Sequence, residues 1–592
     1  MSANKNFFRA SAEDFKKIPG SPVAYWVSER MNRIFQKDCV GNHFHVKAGI
    51  CTGDNAKFIF QWWEVCFGES NVQKSEYSYT AHNKGGGFRR WYGNRECFLK
   101  YSPKSLLQME KCPGFRHDGK EFYFRDHIGW SKITSSLSSF RLYEDMFTFD
   151  SAGLGLFPRD KDSLLSALGL LNSKVVVKLI EILNPTLNVT PVVVKQFPHL
   201  QENGNFDLGI KSCINLSKID WNSYETSWDF SVNPLVAELN NPVNLVNPVK
   251  ESEMVRSISG ASDKSAFQLS SLYAAVRARW AKNCEEMRRL ETENNRIFIE
   301  AYGLQDELTP EVPWHEITLT CNPWYRYGVK EVEKVGGGGD SFPLNPELEA
   351  RLKADTVKEL ISYAVGCMMG RYAIDKPGLI LADQGSTYGD YLAKVSEPEF
   401  DPDEDGIIPV IDEDCFADDI VIQFHKFLRT AFGAANFNAN LSFIEEAIGK
   451  DLRSYFTKDF YGDHLQRYQK RPIYWLFSSP KGTFSALVYL HRYHPGTVGQ
   501  VLTYLRSHIT NLKSRLDAAD RTTADPAATQ GMKTKAIKER TKLIRQLKEL
   551  EDYERDVLHP LASERLEIDL DDGVKVNYPK FGKALRKIPG FE

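Results

Sequence analysis

Long helical stretches constrain the fold of this 592-residue chain more than any other sequence feature. Apolar residues recur every three or four positions from Phe267 to Tyr302, which is the period of one helix face. Similar patterns run from Val498 to Leu516 and from Met532 to Leu558, with the polar loop Thr522 to Gln530 between them. Two long helices joined by so short a loop are expected to pair antiparallel.

The first two hundred residues predict a mixed α/β region. Short aromatic runs such as Phe147 to Phe149 alternate with Gly, Ser and Asn, which is typical of strands joined by turns. The apolar spacing from Leu164 to Leu183 predicts one helix, and Val192 to Val194 predicts a strand after it. Downstream, Leu352 to His494 has the pattern of a mostly helical region.

Proline marks one boundary between these regions. Asn-Pro occurs three times between Asn233 and Pro248, and because a residue before proline avoids the helical conformation, we interpret this stretch as a linker. The predicted fold class is an α/β (α+β) domain followed by a mainly α-helical region with long antiparallel spacer helices. The predicted division is an α/β domain (1–232), a linker (233–262), a long helix and connector (263–350), a helical domain (351–496) and an antiparallel helical pair with a C-terminal tail (497–592).

Composition excludes several classes of protein. The 75 Lys and Arg residues nearly balance the 78 Asp and Glu residues, so any basic surface must be local. The 10 Cys residues include no C-x-x-C pair, which argues against zinc ribbons and disulfide scaffolds. No apolar segment predicts a membrane span or a signal peptide, so we expect a cytoplasmic protein without a membrane partner.

The most basic stretch runs from His82 to Arg141 and is interleaved with aromatic residues. Its Gly85-Gly86-Gly87 run allows a backbone to approach a ligand closely, and Ser131 to Ser139 supplies short hydroxyl donors that suit phosphate oxygens. Cations on loops neutralise the phosphates of nucleic acids. The segment therefore predicts DNA binding, and the alternative is a solvated basic face without a ligand.

Methyl transfer to a base amine would need chemistry that the sequence does not place. A [DNS]-P-P-[YFW] loop accepts the protons of the amine while its aromatic residue stacks on the flipped base. Asn322-Pro323-Trp324-Tyr325 comes close, but Trp324 replaces the second proline, and the chain contains no Pro-Pro dipeptide. Neither Gly153-x-Gly155 nor Gly336 to Gly339 has the pattern of a cofactor-binding turn. We expect a structural turn at Asn322, no catalytic residue and no cofactor in this chain.

An acidic loop matches part of a calcium-binding pattern. Asp401, Asp403 and Asp405 alternate before Gly406, and Asp412 occupies the twelfth place of the loop. The twelfth residue is shorter than the Glu that such loops use. We expect a solvated acidic loop without a metal, and calcium held by these four Asp residues is the alternative.

Several blocks of the sequence carry a family resemblance. They include GGGFRRWYGN (85–94), LLNSKVVVKLIEILNPTLNVT (170–190), NRIFIEAYGLQDELTPEVPWHEITLTCNPWYRYG (295–328) and RPIYWLFSSPKGTFSALVYLHRY (471–493). These blocks resemble the PglX family, the adenine-specific DNA methyltransferases of BREX phage-defence systems. The likeness covers nearly the whole chain and is to the carboxy-terminal part of the family, its target-recognition and helical spacer regions.

The resemblance implies a division of labour between this chain and a methyltransferase core. The core, with its S-adenosylmethionine loop and N-P-P-Y motif, would precede Phe15, so we expect the chain to be inactive on its own. Residues 1–232 would be the DNA target-recognition domain. The implied partners are double-stranded DNA, the methyltransferase core and other BREX proteins, and S-adenosylmethionine is the cofactor implied for the full-length family.

The resemblance also turns the basic segment into a set of predicted DNA contacts. The predicted base or backbone contacts are Arg89, Arg90, Asn94, Arg95, Arg116, Arg125, Lys132 and Arg141. The predicted phosphate contacts are Lys84, Lys100, Lys104 and Ser135. The alternative function is a protein-interaction scaffold, in which the helical half docks other phage-defence components.

Overall fold

A computed structural model describes residues 11–74, 76–159, 164–184, 186–199, 207–240, 268–330 and 341–591. About half of the chain is helical, and the strands form small, mainly antiparallel sheets, so the predicted mixture of α and β structure is confirmed. Contacts divide the chain into two compact units. Unit 1 comprises Met1–Phe60, Glu69–Ser227 and Arg277–Leu352, and unit 2 comprises Gln61–Gly68, Trp228–Val276 and Lys353–Glu592.

The described residues contain strands from both halves of the sequence. The strands are β1 (Phe44–Lys47), β2 (Ile59–Gln61), β3 (Tyr79–Asn83), β4 (Cys97–Lys100), β5 (His127–Ser131), β6 (Phe140–Tyr143), β7 (Phe147–Phe149), β8 (Gly153–Pro158), β9 (Ile407–Pro409), β10 (Tyr474–Ser478) and β11 (Ser485–Tyr489).

Helices occur along the whole described chain, and the longest of them, α11, lies near its middle. Those up to the middle are α1 (Ala12–Phe15), α2 (Glu29–Ile34), α3 (Val40–His43), α4 (Asn55–Phe58), α5 (Pro103–Met109), α6 (Leu164–Leu171), α7 (Lys174–Leu183), α8 (Pro191–Lys195), α9 (Asp207–Trp221), α10 (Pro234–Ala237) and α11 (Leu269–Tyr302). The others are α12 (Pro323–Arg326), α13 (Pro346–Met368), α14 (Tyr388–Lys394), α15 (Ile420–Phe432), α16 (Phe437–Ile448), α17 (Leu452–Lys458), α18 (Phe460–Arg467), α19 (Thr497–Ala524), α20 (Gln530–Tyr553), α21 (His559–Glu564) and α22 (Val574–Asn577).

Two four-stranded sheets form the centre of unit 1. The first sheet has the order β1-β8-β5-β6 and is antiparallel, with Gly129 of β5 opposite Arg141 on one side and Gly155 on the other. The second sheet has the order β2-β4-β3-β7, and its pair of β3 with β7 is parallel. Aromatic strand residues such as Trp130 and Phe149 are fully buried. Their burial drives the packing of these short strands, which would be only marginally stable alone.

Glycine allows the two sheets of unit 1 to meet through their backbones. A Cβ atom on Gly153, the first residue of β8, would lie 2.3 Å from the carbonyl oxygen of Asn83 at the end of β3. Real Cβ atoms do not approach an oxygen so closely, so any side chain at this position would push the two strands apart. The glycine therefore fixes where β3 and β8 approach each other.

Two sequence predictions next to these sheets are wrong. The predicted single helix from Leu164 to Leu183 is broken into α6 and α7, because the side chain of Asn172 pairs with the backbone of β6. It accepts from the Phe140 amide at 3.0 Å and donates to the Phe140 carbonyl at 3.0 Å. The predicted strand from Val192 to Val194 lies in helix α8, where Pro191 occupies the first turn and suits a helix start.

The prediction of a long helix after Phe267 is confirmed by α11. Within unit 1, its residues Cys284, Met287 and Leu290 are buried, as the apolar spacing predicted. Polar residues of the same helix are also buried there and bind other elements. Asn294 donates to the carbonyl of Gly169 in α6 at 2.9 Å. The helix is thus built into unit 1 by hydrogen bonds as well as by apolar packing.

Unit 2 is mostly helical, but it also contains a sheet that the sequence analysis did not predict. Strands β10 and β11 form an antiparallel hairpin, and β9 pairs with the outer edge of β11. Trp475 and Phe477 of β10 belong to a large apolar core that also takes in Leu505 of α19 and Leu550 of α20. The long carboxy-terminal helices α19 and α20 therefore pack against this hairpin.

The two long helices of unit 2 run in opposite directions. Arg540 of α20 pairs with Asp520 of α19 at 2.6 Å near the connecting loop, and Arg506 of α19 pairs with Glu554, just beyond α20, at 2.7 Å. Because the residue numbers rise along one helix as they fall along the other, the pair is antiparallel. Its use as a spacer between a recognition domain and a catalytic core stays a prediction.

The described residues leave parts of the predicted organisation untested. Asn233 caps α10 by accepting from the amide of Leu235 at 3.0 Å, whereas the rest of the predicted linker from residue 241 lies outside the described residues. The five-part division of the chain stays a prediction. Of the helices that the structure describes, none is both long enough and apolar enough to cross a membrane.

Candidate nucleic-acid interface

Several of the predicted contact residues lie together at one end of the sheets in unit 1. Lys84 directly follows β3 and Lys132 directly follows β5. The Lys132 amide donates to the carbonyl of Ala152 at 2.8 Å, and Asn83 accepts from the Asp150 amide at 3.0 Å. We call this region the glycine end of unit 1, and it consists of residues 84–87, 131–136 and 150–152.

The three glycines form a loop at this end, in which Gly85 is buried and Gly86 and Gly87 are exposed. Gly85 and Gly86 have φ values of +89° and +118°, which a residue with a side chain rarely adopts. Ser131 donates from Oγ to the carbonyl of Gly86 at 2.7 Å, and Asn94 donates from Nδ2 to the carbonyl of Gly87 at 2.9 Å. The side chain of Asn94, predicted to contact DNA, thus holds the glycine loop in place.

Lys84 is only partly exposed, and a buried carboxylate binds its side chain. The Nζ atom lies 2.6 Å from Asp150, which also contacts His82. Burial raises the pKa of Asp150, but hydrogen bonds and charge from His82 and Lys84 outweigh that effect and bring it down to about 2. Burial lowers the pKa of His82. Lys84 therefore neutralises a buried charge and holds the base of the glycine loop.

Lys132 and Ser135 present the polar groups of the glycine end that face solvent. Lys132 is half-buried and forms no ion pair with any residue in the described parts of the chain, and Ser135 is exposed. The loop that carries them is bonded to the segment that contains Leu187 and Val189. The Thr134 amide donates to the carbonyl of Leu187, and the Val189 amide donates to the carbonyl of Lys132 at 2.8 Å. Lys132 is thus a positioned cation that no carboxylate of the described residues neutralises.

Arg116 lies on the same side, three backbone ribbons away from Lys84. Backbone hydrogen bonds connect Asn83 to Asp150, and the neighbours of Asp150 to Ile50. The next residue, Cys51, exchanges two backbone hydrogen bonds of 2.9 Å with Arg116. At about 4.8 Å per ribbon, the backbones of residues 83 and 116 are roughly 14 Å apart. The Arg116 side chain is exposed and forms a surface ion pair with Asp118 at 3.1 Å.

Three other predicted contacts lie at the opposite end of the sheets. Lys100 pairs in register with Tyr79, the first residue of β3, and Lys104 follows it in the first turn of α5. Arg125 precedes β5, so about 20 Å of strand separates it from Lys132. Beside it, burial and the negative charge of Asp145 raise the pKa of Asp126. Acidic residues therefore lie beside the cation of Arg125 at this end.

Four predicted contacts are interior residues, and this corrects the sequence analysis. Arg89, Arg90, Arg95 and Arg141 are only 3%, 4%, 3% and 0% exposed. A duplex on the surface of unit 1 does not reach a guanidinium group that is buried and bound inside the domain. In this structure these four arginines stabilise unit 1.

Arg90 shows how such an arginine is neutralised. Its guanidinium lies 2.7 Å from Glu291 of α11 and 3.1 Å from Glu316. The other oxygen of Glu291 accepts from the indole of Trp91 at 2.6 Å. Burial raises the pKa of Glu291, and the charge of Arg90 opposes this effect. A single carboxylate of the long helix therefore fixes two neighbouring residues of the basic segment.

Arg89 takes part in a second buried network. It lies 2.9 Å from Asp220 of α9, and Asp220 also accepts from the amides of Thr320 and Cys321 at 2.7 and 2.9 Å. Arg141 donates to the carbonyl of Arg89 at 2.9 Å. The sequence analysis missed Asp220 as a structural residue, because nothing in a single sequence links a carboxylate to an arginine 131 positions away.

Arg95 is held within the sheets rather than by a helix. It lies 2.5 Å from Glu144, and its guanidinium stacks 3.8 Å from the centre of the Tyr92 ring. Stacking on Tyr92 and the carboxylate of Glu144 together compensate part of the cost of burying this guanidinium.

The predicted structural turn at Asn322 is confirmed. Asn322 is fully buried and caps α12 by accepting from the Trp324 amide at 3.1 Å. Its Nδ2 atom donates to the carbonyls of Trp314 and Ile317 at 2.7 and 2.9 Å. Tyr325 donates its hydroxyl proton to Phe88 at 2.5 Å. The polar groups that would accept the protons of a target amine are thus used inside unit 1.

The described residues do not fit S-adenosylmethionine at the glycines considered in the sequence. Gly153 and Gly155 belong to strand β8, which pairs with β1 on one side and with β5 on the other. They therefore do not form a turn that could hold a nucleoside. Gly336 to Gly339 lie outside the described residues.

The acidic loop does not gather calcium ligands. One oxygen of Asp403 accepts from the amides of Asp405, Gly406 and Ile407 at 2.7–3.1 Å, so this carboxylate caps a tight turn. Burial and the neighbouring Asp405 raise the pKa of Asp403 to about 7. Within the described ranges, no group of three or more His, Cys, Asp or Glu side chains is placed to hold a metal ion. The calcium alternative for Asp401, Asp403, Asp405 and Asp412 is therefore not supported.

Two adenine-specific methyltransferases are similar in sequence to this chain. The chain is 33% identical over 601 residues to the adenine-specific methyltransferase BrxX of Escherichia coli O9:H4 (strain HS), and 33% identical over 613 residues to the adenine-specific methyltransferase PglX of Lacticaseibacillus casei (strain Zhang). The alignments cover 97% and 98% of this chain but 45% and 46% of the relatives. The chain is thus PglX-like over nearly its whole length and spans about half the length of the curated relatives it matches. No family model matches it.

Proposed function

We propose that the chain is the sequence-specific DNA-recognition part of a BREX-type adenine-N6 DNA methyltransferase that serves phage defence and host DNA marking. Unit 1 binds duplex DNA at its glycine end. Methyl transfer from S-adenosylmethionine is the task of a catalytic core outside this sequence. The similarity to two adenine-specific methyltransferases supports a role in DNA methylation.

One observation carries the site assignment. At the glycine end, the exposed backbone of Gly86 and Gly87 adjoins Ser131, which begins the loop that carries Lys132 and the exposed Ser135, and Lys132 has no ion-pair partner among the described residues. Phosphate oxygens bind such backbone amides, hydroxyls and cations, and phosphate contacts set the register of a protein on a duplex. The same basic segment offers no comparable group at its buried arginines.

The proposed contacts divide by exposure. Lys132 and Arg116 contact phosphates, and the amides of Gly86 and Gly87 add donors without a side chain to hinder approach. Ser135 and the loop around it lie next to them and contact either phosphates or base edges. Lys84 and Asn94 position the loop from behind. Base reading by this loop is the sequence-specific part of the proposal.

The long helices complete the proposal as spacers. Helix α11 binds the basic segment rigidly through Glu291, since both Arg90 and Trp91 contact that one carboxylate. A recognition surface that is fixed to a long helix keeps its orientation at a distance from a catalytic core. The antiparallel pair of α19 and α20 gives unit 2 a second stiff element of this kind.

A matched pair of double variants tests the site. Lys132→Gln with Arg116→Gln removes two positive charges from the glycine side, and Lys104→Gln with Arg125→Gln removes two from the opposite end. Fluorescence anisotropy with a labelled duplex, titrated into the full chain at salt concentrations from about 50 to 200 mM, measures affinity and its salt dependence.

The two variants are expected to behave differently. The first variant should lose about tenfold or more in affinity, and its plot of log K against log[salt] should flatten by about two units, because each phosphate contact contributes roughly 0.9 to the slope. The second should match the unaltered chain. Equal losses in both variants, or no duplex binding at about 50 mM salt, would refute the assignment of the glycine end.

A protein-interaction scaffold is the second candidate function, and exposed apolar residues on α20 favour it. Ile537 and Ile544 are 50% and 42% exposed, and their spacing of two helical turns places them on one face. Replacing both by Lys should abolish co-purification with other BREX proteins if this face docks them. Undiminished co-purification by that variant would remove α20 from consideration.

A further inference from the structure

Unit 2 contains a cavity of about 970 Å³ whose wall is strongly basic. Five cations line it, Lys458, Lys481, Lys583, Arg586 and Lys587, and Asp412 is the one acidic residue in the lining. None of the five cations forms an ion pair with a residue in the part of the chain that the structure describes. We call this space the basic cavity.

The five cations come from three separate segments of the chain. Lys458 is the last residue of α17, Lys481 lies in the turn of the β10–β11 hairpin, and the others belong to the carboxy-terminal tail. Positive charges brought together in this way repel one another, which costs free energy unless an anion is bound. Convergence from three segments distinguishes the basic cavity from a single solvated helix face.

The hairpin turn that carries Lys481 is fixed by a carboxylate. Glu549 of α20 accepts from the Ser479 hydroxyl at 2.6 Å, from the Lys481 amide at 2.7 Å and from the Thr483 hydroxyl at 2.6 Å. These bonds use the backbone of the turn, while the side chain of Lys481 stays exposed. The cation is thus presented by a rigid support.

The carboxy-terminal tail that carries Arg586 and Lys587 is also fixed in place. Its backbone pairs with β10, because the Arg586 amide donates to the carbonyl of Leu476 at 2.8 Å and Leu585 forms a bridge with Phe477. Leu585 and Ile588 are buried, whereas Arg586 and Lys587 between them are exposed. The pairing therefore positions two adjacent cations at the wall of the basic cavity.

We propose that the basic cavity binds the phosphate groups of a nucleotide or of a single nucleic-acid strand. Lys and Arg form charge-assisted hydrogen bonds to phosphate, and the excess of four positive charges over Asp412 in the lining suits a chain of several phosphates. The half-buried Phe591 supplies an aromatic face for a base. The volume lies at the upper end of the range for small-ligand sites.

The test uses the full chain and three probes: sodium tripolyphosphate, ATP and a short single-stranded DNA with a 5′-phosphate. Isothermal titration at about 50 mM salt compares the unaltered chain with the double variant Lys481→Gln/Arg586→Gln. The matched control is Lys535→Gln/Lys538→Gln, which removes two exposed cations of α20 that do not line the cavity. A third variant, Phe591→Ala, tests base stacking.

We expect saturable binding of tripolyphosphate that falls by about tenfold or more in the cavity variant and stays unchanged in the control. A gain for ATP over tripolyphosphate that Phe591→Ala removes identifies a nucleotide as the ligand. A gain for the single strand over ATP identifies nucleic acid. Absence of saturable binding by all three probes, or equal losses in the cavity variant and the control, would overturn the proposal.

Discussion

Arg90 and Lys132 belong to the same basic segment, yet the structure gives them opposite surroundings. Arg90 is buried and lies between Glu291 and Glu316, whereas Lys132 sits at the glycine end without an ion-pair partner among the described residues. Charge counted along the sequence does not separate these two situations. The difference teaches that a basic segment indicates a ligand only where no carboxylate from elsewhere in the chain neutralises its cations.

The largest expected effect comes from breaking the buried network. Arg90→Ala leaves Glu291 buried without its cation, and we expect a loss of about 3–5 kcal/mol in the free energy of unfolding. Urea denaturation of the full chain, followed by tryptophan fluorescence, measures the loss.

The control for this prediction is an exposed ion pair on α11, the helix that carries Glu291. Arg289 pairs with Glu286 on α11, with 63% and 46% of their side chains exposed. Arg289→Ala should cost less than about 1 kcal/mol, because surface ion pairs contribute little. Similar urea midpoints for the two variants would contradict the structural role of Arg90.

The next effect concerns the acid limit of stability at the glycine end. Because His82 and Lys84 hold the pKa of Asp150 at about 2, against an ordinary value of 3.8, its contribution is fully present above pH 4 and is lost as the pH falls toward 2. Asp150→Asn should cost about 2 kcal/mol at pH 7. The gap between the two proteins should close between pH 4 and pH 2, and a constant gap over that range would argue against a charged Asp150.

A smaller effect is expected at Lys132, where replacement should change duplex affinity and leave stability almost unchanged. Lys132→Gln should change the free energy of unfolding by less than about 0.5 kcal/mol, because its side chain neutralises no described residue. Its duplex affinity should fall by about fivefold, and the log K against log[salt] plot should flatten by about one unit. A loss of stability without a change in affinity would assign Lys132 to the structural group.

The smallest expected effect concerns the backbone of the glycine loop. A Cβ atom on Gly87 meets no atom within 4 Å, so Gly87→Ala should leave stability unchanged. Duplex affinity should fall by about two- to fivefold if a phosphate approaches this backbone closely. Gly531→Ala in α20, which is equally unhindered, is the control; it should leave duplex affinity unchanged and, as a helical Gly→Ala replacement, raise stability by up to about 1 kcal/mol.

Sequence reasoning predicted the long helices well and the short elements poorly. The apolar period of α11 extends over many turns, whereas the hairpin strands β10 and β11 are continuous buried runs that show no period of either kind. Val192 to Val194 have strand propensity, but Pro191 and the surrounding packing favour a helical turn. The break between α6 and α7 depends on Asn172 reaching the backbone of β6, which only the tertiary fold reveals.

The candidate site was predictable only in part, for a related reason. Gly85 to Gly87, Lys132 and Ser135 were singled out from the sequence, and the structure places Gly86 beside Ser131, where the loop that carries Lys132 and Ser135 begins. The burial of Arg89 and Arg90 depends on carboxylates 131 and 201 positions away. Pairings across such distances follow from the fold and not from local composition.

The central claim, that duplex DNA binds at the glycine end, can be tested by measuring lysine reactivity directly. The full chain is acetylated under limiting conditions with and without duplex DNA, and each modified lysine is quantified by mass spectrometry. The account predicts that the duplex protects Lys132 while leaving Lys104, at the opposite end of the sheets, as reactive as before. Protection of Lys104 with unchanged reactivity at Lys132 would contradict it.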